Sequence, residues 1–100
     1  GNMLHYAVVF LIVALVAVEA ISGRIVDAPR LSSRGDVSLG ANPVLVVEID
    51  RSIREAVLEV TADGRRDVPT LEEAVQRGVR RAFRRETGRR PPVVAQVVLV

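Results

Sequence analysis

The sequence predicts an α+β fold: a three-stranded sheet covered on one face by two antiparallel helices, in the order β-β-α-α-β. Three observations carry that expectation. Ala7 to Val18 is an unbroken run of twelve apolar residues, half of them Val or Ile. Two later stretches repeat apolar residues with helical period and have recognisable caps. The chain then closes on Pro91-Pro92 followed by VVAQVVLV, a second β-branched run.

The first run reads as a strand from about Tyr6 to Glu19. β-branched residues lose rotamers in a helix and pack well on a pleated sheet. A transmembrane helix needs roughly 20 apolar residues, more than this run supplies. A secretory signal needs a basic segment before the apolar one, and nothing basic precedes Ala7. Ala17-Val18-Glu19-Ala20 loosely resembles an A-x-A cleavage site, so that alternative stays open at this point. As a strand, the run points Val8, Phe10, Ile12, Ala14, Val16 and Val18 one way, and Val9, Leu11, Val13, Leu15 and Ala17 the other.

Ser22-Gly23 turns the chain into Arg24 to Ser33, a mixed strand in which Pro29 cannot donate to a ladder. That places it at a sheet edge, hairpinned to the first. The loop that follows contains Arg34-Gly35-Asp36, an integrin-type tripeptide too short to outweigh chance. Asn42-Pro43 caps the first helix, whose expected apolar face is Val46, Ile49, Ile53, Val57 and Val60. Arg51 and Glu55 stand one helical step apart on its other side, and Gly64 ends it. Thr70-Leu71-Glu72-Glu73 fits a capping box for the second helix, with Leu71, Val75, Val79, Ala82 and Phe83 inward and Gly88 at its end. Arg77, Arg80, Arg81 and Arg84 form a stripe within about 100° on the outer face.

Composition narrows function by exclusion. There is no cysteine, so disulfides and thiolate metal sites are impossible, and the one histidine is His5. No catalytic or metal-ligand set can be assembled, and Glu48, Asp63 and Asp67 read as solvated surface. No cofactor is expected in this chain. With 3% aromatic residues and no Trp, a base-stacking surface is not expected. All fourteen basic residues are Arg. Residues 1–63 hold five Arg against eight acids, and residues 64–100 nine Arg against four acids. The second part is therefore the one suited to an anionic partner. Gly1-Asn2-Met3 reads as a tag remnant with an introduced start, and residues 4–100 as one small domain cut from a longer protein.

Four stretches give the chain a family likeness. Ile21-Ser22-Gly23-Arg24-Ile25-Val26, Ser33-Arg34-Gly35, the helical words Ile53-Arg54-Glu55-Ala56 and Val79-Arg80-Arg81-Ala82-Phe83, and Thr87-Gly88-Arg89-Arg90-Pro91 resemble the C-terminal domain of bacterial ribonuclease J. The chain departs from the family pattern at Asp36, where an aromatic is usual, and at Ala95-Gln96, where Leu-Pro is usual. The resemblance implies a non-catalytic piece of a cytoplasmic, zinc-dependent ribonuclease. The zinc and its ligands would lie in the metallo-β-lactamase domain, completed by a β-CASP domain, neither of which is present. The C-terminal domain would support oligomerisation and activity, and RNA would be met through the parent enzyme.

Residue chemistry adds its own expectation. Two helices cover one side of a three-stranded layer, leaving Val9, Leu11, Val13, Leu15 and Val97 as the expected oligomer or interdomain face, for a homodimer or for the parent's catalytic domains. Two alternatives accompany this. Arg77, Arg80, Arg81 and Arg84, extended by Arg85, Arg89 and Arg90, could contact RNA phosphates. The first run alone would support a small membrane-anchored protein, although no membrane partner is expected.

Overall fold

The computed structural model describes residues 11–34, 39 and 42–100. In it β1 (Leu11–Val18), β2 (Ile25–Arg34), α1 (Pro43–Ala62), α2 (Val68–Thr87) and β3 (Val93–Leu99) follow in the expected order. The sheet runs β2-β1-β3, antiparallel between β1 and β2 and parallel between β1 and β3. The apolar run is thus the central strand, paired on both edges.

Alternation sets the layers. Ile12, Ala14, Val16 and Val18 are wholly buried, and the helices supply Leu45, Ile49, Ile53 and Val57 from α1, and Leu71, Val75, Val79, Ala82 and Phe83 from α2. Val93 and Val97 complete this core from β3. Leu39, from the segment between β2 and α1, is buried in it as well.

β2 takes the edge, as Pro29 requires. Leu15 pairs with Arg30 and Ala17 with Val26, so one β1 residue faces three on β2. That bulge absorbs Pro29 and lets Asp27 adopt φ 63°, a left-handed conformation that Asp tolerates better than most residues. The hairpin turn closes with Gly23 N–H donating to Glu19 O at 2.8 Å. Gly23 has φ 75°, and a methyl group there would stand 2.8 Å from Thr61 Cβ and 2.9 Å from Arg66 Cζ. The turn therefore packs directly on the end of α1, where Arg66 donates to Thr61 O at 2.9 Å.

Asn42 caps α1 by accepting from Leu45 N–H at 3.1 Å. The buried stripe of α1 is Leu45, Ile49, Ile53, Val57 and Thr61, with Val46 and Val60 half-buried at its margin. This corrects the sequence expectation at both ends of the stripe. The start of α2 needs a larger correction. Its N-cap is Asp67, whose carboxylate accepts from Thr70 N–H at 3.2 Å and from the Thr70 hydroxyl. Thr70 sits inside the first turn and answers Asp67. Asp67 is therefore a cap residue, and its assignment to plain solvated surface does not hold. Gly88, at φ 75°, ends α2 as expected. The helices run antiparallel: Glu48 near the start of α1 meets Arg85 near the end of α2 at 3.3 Å, while Gly78 packs at mid-helix on Ser52 O and Ala56.

Candidate functional site

Two surfaces remain on opposite sides of this frame. The first is the open face of the sheet. Leu11, Val13, Leu15 and Ala17 occupy its centre, with Val94 and Val98 beside them on β3 and Val26 beside them on β2. Leu15 and Val26 are each 37% exposed, Val94 43% and Val98 48%. Arg30, Ser32 and Arg34 border this patch along β2, and Gln96 stands among the valines on β3.

Of the residues expected on this face, Leu11, Val13 and Leu15 are there. Val9 lies outside the described residues. Val97 is not there: it is 6% exposed and packs under the helices. The parallel register pairs Val97 with Val16 and Val98 with Ala17, so the outward residues of β3 are Val94, Gln96 and Val98. Residue alternation was legible in both strands, and so was the outward parity of β1; which parity of β3 faced the helices was not.

The outer edge of β3 carries a feature the sequence did not announce. Glu72 accepts from Val97 N–H at 3.0 Å, and Gln76 donates to Val93 O at 2.7 Å. The two side chains stand one turn apart on α2 and occupy backbone groups that an edge strand would otherwise offer to another chain.

The second surface is the outer side of α2. Arg77, Arg80, Arg81 and Arg84 are all exposed, and with Arg90 they line one shallow depression. Arg77 pairs with Glu73 at 3.3 Å, and Arg85 with Glu48 at 3.3 Å and Glu86 at 3.6 Å. Among the described residues, no carboxylate lies within 4.0 Å of Arg80, Arg81, Arg84 or Arg90. On α1, Arg51 pairs with Glu48 at 2.6 Å and Arg54 with Asp50 at 2.9 Å. Glu48 thus ties α1 to α2 and is not simply surface.

The hydrogen bond from the Thr70 hydroxyl holds the Asp67 carboxyl below its ordinary pKa. That is a structural feature of the α2 cap. Among the described residues no three His, Cys, Asp or Glu side chains are grouped to hold a metal ion. No helix among them is long and apolar enough to cross a membrane, and residues 11–18 are sheet.

The sequence profile of the ribonuclease J C-terminal domain matches residues 8–100. The chain belongs to the ribonuclease J C-terminal domain family. Comparison with curated proteins finds no match. The ribonuclease J likeness covers the whole described fold, including the helix pair, the Thr87–Pro91 segment and β3.

Proposed function

We propose that this chain is the non-catalytic C-terminal domain of a cytoplasmic bacterial ribonuclease that cleaves RNA from the 5′ end and internally, and that it joins two copies of that enzyme. Zinc and the reacting groups belong in this reading to the parent's metallo-β-lactamase and β-CASP domains, to which this domain contributes no ligand. Its part is to hold the assembly in an active arrangement.

The observation that supports this reading is the open sheet face: Val13, Leu15, Val94 and Val98 form a contiguous apolar patch on the central and one edge strand. Apolar surface of this kind marks an interaction site. Burying ~400 Å² of it is worth on the order of 10 kcal/mol before the costs of association. A second copy is the simplest occupant, since an isologous pair places the same apolar strip on both sides. Docking of the parent's catalytic domains onto the same strip is the other outcome.

Multi-angle light scattering across a concentration series tests the reading. The expected result is twice the chain mass at high concentration, reverting to the single-chain mass on Leu15→Arg. If the isolated chain is a monomer throughout but the parent enzyme's dimer survives Leu15→Arg, the self-association role is removed.

A further inference from the structure

The arginine surface of α2 is not needed for any of this. Arg77/Arg81 and Arg80/Arg84 are like charges four residues apart on an exposed helix, a spacing that costs helix stability. Of these, only Arg77 is paired, with Glu73 at 3.3 Å; among the described residues, Arg80, Arg81, Arg84 and Arg90 have no carboxylate within 4.0 Å. Arg90 is brought to the same depression from beyond the Gly88 turn, so two separate segments converge on it. Glu55 and Glu59 of α1 flank only the side facing the helix-helix groove, which they line with Arg77, Arg81 and Arg85.

We infer that Arg80, Arg81, Arg84 and Arg90, with Arg77, bind the phosphates of a single-stranded RNA laid along the outer side of α2. The cations from Arg77 to Arg84 span about 10 Å of helix axis, and the depression is open, so it suits a run of phosphates better than one enclosed anion. Guanidinium forks match phosphate oxygens two at a time. Phe83, the one aromatic among the described residues, is buried in the core, so none of the described aromatics offers a base a stacking surface and the contact is read as independent of base sequence. RNA as the polyanion rests on the proposed membership in an RNA-degrading enzyme. The arginine surface and the open sheet face lie on opposite sides of the domain, so both can be occupied together.

The test is fluorescence anisotropy of a labelled 20-nucleotide single-stranded RNA of mixed sequence titrated with the chain. Neutralising four or five phosphates predicts a log-log salt slope near −3, hence roughly 100-fold weaker binding at 200 mM than at 50 mM salt. The double substitution Arg80→Gln and Arg84→Gln removes two contacts, flattens the slope by about 1.4 and weakens binding at least tenfold at 50 mM salt. Arg51→Gln with Arg54→Gln on α1 makes the same change in net charge and is expected to leave affinity within about twofold. Circular dichroism melts confirm that both variants fold, as exposed positions allow. The inference is overturned if RNA fails to bind at 50 mM salt, if the α1 pair weakens binding as much as the α2 pair, or if the chain binds phosphatidylserine vesicles and not RNA. Repeating the titration with Leu15→Arg separates the two readings: RNA binding persists there whether or not the chain self-associates.

Discussion

The two sides of β1 are built from the same residue types in the same strand, yet they end in different surroundings. Ile12, Ala14, Val16 and Val18 reach zero exposure under α1 and α2. Leu15, one position away, keeps 37% of its surface. Nothing in the local hydropathy separates them; the number of layers does. Two helices suffice for one side of three strands, and among the described residues no third layer covers the other. Among the described residues an apolar strip is thereby left exposed on that side, the surface proposed above for contact with another copy.

That contrast can be broken most directly by truncating each side in turn. Ile12→Ala leaves a cavity under the helices and is expected to cost about 2–5 kcal/mol in urea unfolding of dilute protein. Leu15→Ala in the same dilute conditions should cost less than about 1 kcal/mol, because its surroundings are already partly water. Equal costs would mean that the open side is packed within the single chain.

The layer boundary can also be stressed at the hairpin. Gly23→Ala forces a side chain into φ 75° and against Thr61 and Arg66, and should destabilise by about 1–3 kcal/mol. A thermal melt within a degree of the parent would show that the turn can lift off α1.

A smaller effect is expected at the protected edge. Glu72→Ala with Gln76→Ala frees Val97 N–H and Val93 O, costing about 1 kcal/mol for each lost bond. The same variant should aggregate faster during refolding, read by turbidity, because β3 then presents unpaired groups. Unchanged turbidity would assign no protective role to the two side chains.

The smallest effect concerns the α2 cap and depends on pH. Asp67 has a pKa lowered in the folded chain, so its contribution is present above the ordinary carboxylate value of 3.8 and is lost as pH falls through the folded value. Asp67→Ala should therefore lower the melting temperature slightly at pH 7, with the gap to the parent closing on acidification. A gap that persists at pH 2 would trace the effect to packing.

Much of this fold was legible in the chain. The strand run, the Pro29 edge, Asn42-Pro43, Gly88 and the stripe from Leu71 to Phe83 rest on local chemistry, which sequence records directly. What escaped it depends on relations between distant segments. Val97 was expected on the open face because strand alternation has no sign until a neighbouring strand fixes register and direction, and the parallel pairing with Val16 fixes both. Leu39 sits in a stretch with loop composition, and its burial comes from joining a core that distant elements build. Asp67 and Thr70 are both cap-forming residues three apart, and the sequence alone does not rank them. The arginine stripe was visible by spacing, but the convergence of Arg90 on it was not, since it comes from the path of the chain after Gly88.

The central claim is that the open side of the sheet is covered by another copy of the chain, and light scattering across a concentration series tests it most directly. The account predicts a dimer that Leu15→Arg converts to a monomer without a material change in its melting temperature when dilute. A strict monomer at every concentration, with no binding of a hydrophobic dye, would contradict it.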